Sequence, residues 1–246
     1  MSHVPRIYLP EAQANSIAPV TSTVEHHLIR VLRLRDGAPL QVFDGEGLEY
    51  AALLSLDGTR TTIAIEALRH AEERPPLPID LFVAISRHTR MEWTLEKAVE
   101  LGVSTIHPLL SERSKVRLDE RRAERKQEHW QSVVISATAQ SGRSRLCELK
   151  PPRPLSELWR ENFDTLQLIL HHDATRGLTD LARPRKGLAL LVGPESGFSS
   201  AELGEAEAAG WVPVRLGPHT LRAETAGPAA IAAAQALWGN WNRTPG

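Results

Sequence analysis

Two stretches of this sequence gather the residue types that polar chemistry needs. They are LLVGPESGFSSAEL (190–203) and VRLGPHTLRAETAGPAA (214–230). Each continues an apolar run of strand length and turns at Gly-Pro, where glycine admits close backbone approach and proline stiffens the turn. One such turn is only a tight loop, but two in tandem beside a charged cluster point to a ligand site. The cluster is Arg222, Glu224 and Thr225. A guanidinium is always charged and offers several donors, so it suits a delocalised anion. A nearby carboxylate takes up a proton or pairs with the guanidinium to hold it, and Thr225 orients that pair or caps a following helix. His171-His172-Asp173 looks like a metal or triad fragment. Adjacent histidines on a strand point to opposite faces, however, and no third ligand is at typical spacing. It reads as a pocket-rim loop, and no metal site is expected.

Several chemistries are excluded. There is no G-x-x-x-x-G-K-[ST] phosphate loop, no G-x-G-x-x-G after the first strand of an α/β region, and no G-x-S-x-G elbow. The single Cys147 permits neither an intramolecular disulfide nor a thiolate zinc cage. The opening residues carry charges and prolines without an apolar core, and no run approaches the ~18 apolar residues of a membrane span. A soluble, cytoplasmic protein without membrane association is expected. Lys+Arg 29 against Asp+Glu 30 gives a net charge of -1, which excludes a global polycation but leaves room for local basic patches. One runs through Arg113, Lys115, Arg117, Arg121, Arg122, Arg125 and Lys126, followed by Arg143 and Arg145. Another joins Arg6 to Arg30 and Arg33. Such patches suit phosphate contacts, which position RNA without reading its sequence.

The elements that must position these residues are legible from periodicity. A chain of 246 residues, 41% hydrophobic and 24% charged, has room for two domains with cores of their own. Its character changes at AEERPPLP (71–78), a charged-then-proline linker. Before it, RIYL (6–9), LQVF (40–43), YAALLSL (50–56) and TTIAIEAL (61–68) read as strands, with turns at Asp44-Gly45 and Asp57-Gly58. A helix from about Thr23 to Leu34 carries the apolar stripe Val24, Leu28, Val31, Leu32 and a separate face of His26, Arg30 and Arg33. A small β-barrel-like domain over residues 1–72 is expected.

Over 73–246 the pattern alternates. Strands are expected at 79–85, 104–110, 166–172, 187–193 and 211–217. A helix with the stripe Met91, Leu95, Ala98, Val99 opens on a possible capping box at Thr89–Glu92 and closes at Gly102. A long helix buries Trp130, Val133, Val134 and Ala137. A shorter one opens on a Ser199/Glu202 capping box and ends at Gly210, and an alanine-rich helix runs from about Ala226 to Trp241. This alternation predicts an α/β domain with a parallel sheet and helices on both faces. Ligands bind beyond the carboxyl ends of such strands, where the two glycine loops must lie. Ile231, Leu237, Trp238 and Trp241 offer a close-packing face to a partner or to their own domain.

GPESGFSSAEL (193–203) and LGPHTLRAETAGPAAI (216–231), supported by residues 91–116, QSGRSR (140–145), RIYLP (6–10) and HHLIRVLRLRDG (26–37), resemble the RsmE family of bacterial 16S ribosomal RNA uridine-N3 methyltransferases, in the knotted SPOUT superfamily. The resemblance covers nearly the whole chain in the same order. It implies a PUA-like RNA-binding β-barrel at 1–72, a trefoil-knotted methyltransferase domain at 73–246, S-adenosylmethionine as cofactor, a homodimer, and 16S RNA of the small ribosomal subunit as substrate. It places Leu170, His171, Val192, Gly193, Pro194, Glu195, Gly197, Leu216, Gly217, Leu221, Arg222 and Ala226 at the cofactor. It puts Arg222, Glu224 and Thr225 at the chemistry, and Arg6, Arg30, Arg33, Arg113, Lys115, Arg143 and Arg145 on RNA. Glu195 has an alternative role, capping the helix that begins near Ser199. Three positions depart from the family pattern: Ser196 replaces a common second glycine, Gly227-Pro228 interrupts the alanine-rich helix, and Ala139 stands where a glutamate is frequent. Two alternatives are a sister enzyme acting on transfer RNA or a ribose hydroxyl, and an inactive RNA-binding or ribosome-assembly module. The near-intact LRAET loop and the two N-terminal blocks favour the uridine-N3 enzyme.

Overall fold

The computed structural model describes residues 4–58, 60–114 and 119–241. Residues 1–74 with 138–146 form one unit, and 75–137 with 147–246 form a second.

In the first unit the four expected strands form as β1 (Arg6–Tyr8), β3 (Pro39–Phe43), β4 (Leu48–Asp57) and β5 (Arg60–Ala71), joined by an unexpected short strand, β2 (Ser16–Pro19). Their order is β1-β3-β4-β5-β2, with β1 parallel to β3 and the other pairs antiparallel. Asp44 shapes the β3–β4 turn, its Oδ1 accepting from the N–H groups of Glu46 (2.7 Å) and Leu48 (2.9 Å). Alternate strand residues such as Leu40, Val42, Leu54 and Ile63 meet Leu28 in the core.

The helix expected over Thr23–Leu34 is shorter. α1 (Ser22–His26) starts at Thr21, whose Oγ1 accepts from Val24 N–H (3.3 Å), and then widens into a π-turn over His27–Val31. Leu32 N–H donates to His27 O, and Arg33 leaves at φ +54°. A π-turn advances each residue through a smaller angle than an α-helix, which breaks the i, i+4 stripe. Leu28 stays buried, while Val31 and Leu32 face solvent.

The second unit is a parallel α/β sheet, as the alternating pattern implies. Its strands are β6 (Ile79–Ala84), β7 (Thr105–Leu110), β8 (Glu148–Leu149), β9 (Arg153–Pro154), β10 (Leu166–Leu170), β11 (Leu188–Val192) and β12 (Val212–Val214). They lie in the order β12-β10-β11-β6-β7-β8 with β9 beside β7, every pair parallel. The two-residue strands β8 and β9 are too short to show periodicity. The helices are α2 (His88–Glu100), α3 (Glu120–Ser141, of which residues 120–137 belong to this unit), α4 (Ser200–Ala208) and α5 (Ala223–Trp238).

Both faces of the sheet are covered. Phe82, Ala189 and Leu191 cluster with Ala206 of α4, while Leu81 and Val192 lie against Gly227 of α5. The α2 stripe Met91, Leu95, Ala98, Val99 is wholly buried, and α2 packs on α5. Among the described residues no helix is long and apolar enough to cross a membrane.

Two expected caps resolve differently. Ser199 and Glu202 do form a reciprocal box: Ser199 Oγ accepts from Glu202 N–H (3.1 Å) and Glu202 Oε2 accepts from Ser199 N–H (2.8 Å). The box at Thr89–Glu92 does not form, because α2 already begins at His88 with Arg87 in the capping position and no side-chain cap. The last helix also starts earlier than expected, at Ala223. Pro228 therefore sits in its second turn rather than its first, where its missing N–H leaves Glu224 O without the usual helical donor.

Candidate active site

Parallel pairing brings the carboxyl ends of β10, β11 and β12 to one edge, with Leu170 opposite Val214. Three loops leave from there and enclose a cleft of about 770 Å3. The loop after β10 is tied to the strand beside it: His171 N–H donates to Val214 O (2.9 Å) and Arg215 N–H to Arg176 O (2.9 Å). The cleft is lined by Leu170–Asp173, Val192–Phe198, Val214–Glu224 and Ala226, together with Arg90 and Arg113. Every residue expected at the cofactor is therefore on this one surface, from Leu170 and His171 through Gly193, Glu195 and Gly197 to Leu216, Gly217, Leu221, Arg222 and Ala226.

The loop after β11 is shaped by packing. A side chain at Gly193 would place its Cβ 2.9 Å from the Phe198 ring, so only glycine lets Phe198 fold back under the loop. Ser196, one of the departures from the family pattern, is absorbed: its Oγ donates to Arg113 O (3.0 Å). Glu202 is buried with both carboxylate oxygens occupied, Oε2 by its own cap and Oε1 by Glu112 N–H (2.8 Å). That bond holds the segment after β7 against the loop. Glu195 does not cap α4, because Ser199 does so. Its Oε1 instead accepts from Arg90 Nη1 at 2.9 Å.

The charged cluster is arranged differently from expectation. Glu224 does not pair with Arg222. Its Oε1 lies 3.6 Å from Arg90 Nε, and its Oε2 is buried without a hydrogen-bond partner among the described residues. Arg222 occupies the N-cap position of α5 with its side chain exposed, and among the described residues no carboxylate is in ion-pair reach of it. Thr225 neither caps the helix nor lines the cleft; it is the third residue of α5, and its N–H donates to Arg222 O (2.9 Å). The early helix start takes Glu224 and Thr225 into the first turn of α5, where Glu224 reaches Arg90 of α2, and makes Arg222 the N-cap residue.

His171-His172-Asp173 also needs correction. β10 ends at Leu170, so the opposite-face geometry of a strand does not apply. The two imidazoles are 4.8 Å apart, His172 Nε2 lies 3.2 Å from Asp173 Oδ2, and the ligand atoms of all three residues lie within 4.8 Å of one another.

The residues expected on RNA divide into groups. Arg30 and Arg33 are exposed. Arg6 is not a surface residue: its guanidinium is 2.7 Å from Glu49 Oε2, its side chain is 7% exposed, and it donates to Arg143 O (3.0 Å). A charge so buried and paired presents nothing to a phosphate. Arg143 and Arg145 lie on a partly buried loop clamped by Glu72, whose Oε2 accepts from the N–H groups of Ser144 and Arg145. Arg145 Nε also donates to Glu72 O (3.0 Å). Arg113 reaches the carbonyls of Ser196 (3.4 Å) and Phe198 (3.3 Å) and so belongs to the cleft wall. Lys115 and Arg117 lie outside the described residues. Sequence reasoning overlooked Arg90, although its place one turn beyond β6, at the same sheet edge as the loops, was a usable signal.

Residues 73–235 match the model of an RNA methyltransferase domain, and residues 26–60 that of an RNA methyltransferase PUA domain. The chain is 30% identical over 240 residues to the ribosomal RNA small subunit methyltransferase E of Buchnera aphidicola, covering 96% of this chain and 98% of that one. Its fold is similar to that of a ribosomal RNA small subunit methyltransferase E from Neisseria gonorrhoeae bound to S-adenosyl methionine (TM-score 0.90, 36% identity, 98% of this chain and 100% of the other). It is also similar to a methyltransferase of Legionella pneumophila in complex with the same cofactor (TM-score 0.91, 34% identity, 96% and 99% covered).

Proposed function

The chain belongs to the ribosomal RNA small subunit methyltransferase E family, and we propose that it is a cytoplasmic, homodimeric enzyme that uses S-adenosylmethionine to methylate N3 of a uridine in 16S RNA of the small ribosomal subunit. The observation that carries this reading is the enclosure of one cleft by both Gly-Pro loops, with the exposed Arg222 at its edge.

The cleft fits the cofactor. Its volume is within the range of small-molecule sites, and Leu170, Val192, Leu216 and Leu221 supply apolar lining. A buried carboxylate oxygen without a donor is costly, so the bare Oε2 of Glu224 suits a cationic or donor-bearing ligand. When bound, the cofactor supplies a methyl group on a sulfonium sulfur. The chain's own residues do the rest. Uracil N3 carries a weakly acidic imide proton, and its loss spreads negative charge onto O2 and O4. Arg222, which has no ion-pair partner among the described residues, offers its donors to that charge as it develops. Glu224, held beside Arg90, is the carboxylate of the cleft wall that takes up the N3 proton. The exposed Arg30 and Arg33 hold the RNA backbone.

Mass spectrometry of small-subunit RNA from cells lacking the gene tests the reaction. The expected result is the loss of one N3-methyluridine. Loss of a ribose methyl, or no change at all, overturns the assignment. Calorimetry with S-adenosylmethionine in the presence of EDTA tests the metal-free site, and abolition of binding by the chelator would assign a metal to the His171–Asp173 cluster.

A further inference from the structure

Arg90 stands in the first turn of α2, yet its guanidinium reaches both glycine loops. Nη1 is 2.9 Å from Glu195 Oε1 in the loop after β11, and Nε is 3.6 Å from Glu224 Oε1 at the start of α5. The two carboxylates lie in the wall of one cleft, where like charges repel unless a cation stands between them. Among the described residues no other cation is in ion-pair reach of either carboxylate. Arg90 itself is anchored: α2 packs through its buried stripe against α5, so the guanidinium projects from a fixed support.

We propose that Arg90 is a positioning residue that ties the two cofactor loops together. It crosslinks Glu195 to Glu224 and so fixes the spacing of the walls between which the ligand enters. By engaging Oε1 of Glu224 it also holds in place the carboxylate whose Oε2 is buried without a hydrogen-bond partner among the described residues. Arginine can do this where lysine cannot, because two nitrogens of one planar group serve two acceptors in different directions. The identification of the ligand as S-adenosylmethionine rests on the function proposed above, whereas the tether itself does not.

The test uses the full-length chain. Arg90→Gln is expected to weaken S-adenosylmethionine binding about tenfold by calorimetry, the combined effect of two partly exposed ion pairs. Arg90→Lys recovers only part of that loss. In a double-mutant cycle, Arg90→Gln combined with Glu195→Gln binds no more weakly than the worse single variant, because both changes cut the same tether. Additive losses, or an Arg90→Gln affinity within twofold of the unmodified protein, overturn the proposal even if the melting temperature falls. Hydrogen exchange on the ligand-free chain separates the two readings. If the unmodified protein fails to bind S-adenosylmethionine, the cofactor assignment fails, while faster exchange at both 193–199 and 220–226 in Arg90→Gln still supports the tether. Unchanged exchange there overturns it.

Discussion

Arg222 and Gly217 show how single residues set this site. In the proposed reaction Arg222 meets charge that appears only as the N3 proton leaves, which puts its contribution in the transition state. Arg222→Ala is expected to lower the single-turnover methylation rate by about 10²–10³ while leaving RNA affinity within a few-fold. Loss of affinity with an unchanged saturated rate would move Arg222 to the binding surface. Gly217 sits at φ +85° with open space where a Cβ would be. Gly217→Val adds backbone strain of about 1–3 kcal/mol and sends a branched side chain into the cleft. Calorimetry is expected to show S-adenosylmethionine binding weakened by at least about tenfold, beyond what strain in a still-folded protein explains.

At the scale of elements, β7 carries a group that couples sheet stability to pH. His107 stacks on Phe82 at 4.1 Å, and burial, aided by Arg153, pushes its pKa down to about 4. Arg153 is itself paired with Glu161. The unfolded imidazole titrates near 6.5, so below that pH the unfolded chain binds a proton that the folded one refuses. Stability is full above about pH 6.5 and is lost as pH falls towards 4, by roughly 2–3 kcal/mol from this group. Urea unfolding at pH 7 and pH 4.5 is expected to show that loss in the natural protein and a smaller one in His107→Phe. Equal acid sensitivity in both would place the effect in other groups.

At the scale of the whole molecule, a net charge of -1 means that RNA must be met by local patches. With Arg6 buried, Arg30 and Arg33 carry the patch on the first unit. Replacing both with Ala is expected to weaken RNA binding and flatten its salt dependence by about one ion per lost phosphate contact, with saturated turnover nearly intact. Filter binding at several salt concentrations reads the slope, and an unchanged slope would exclude both residues from phosphate contact. The apolar residues of α5 and the turn after it divide similarly. Ile231 and Trp238 are buried in their own unit, whereas Leu237 is 45% and Trp241 52% exposed, with Trp93 of α2 also open. An exposed aromatic and aliphatic set of this kind suits a subunit interface. Sedimentation at micromolar concentration is expected to show twice the monomer mass, and a purely monomeric species would overturn the homodimer.

The sequence by itself determined the strand-helix alternation, the parallel sheet and the two Gly-Pro loops that wall the cleft. Those follow from local causes: apolar runs such as 188–192 that must be buried on both faces, and Gly-Pro turns that can only follow them. The Ser199–Glu202 cap was legible for the same reason, since both partners lie within one turn. What only the tertiary structure decided was which charges meet. Glu224 finds Arg90 rather than its neighbour Arg222 because helix α5 starts three residues early and packs on α2. Arg6 finds Glu49 and the backbone of 143, so a residue whose type suggested surface lies inside. His171 and His172 come together because β10 ends one residue before them. Ion pairs between residues far apart in sequence have no period and no spacing, and they are fixed only when packing fixes the distance between the elements that bear them.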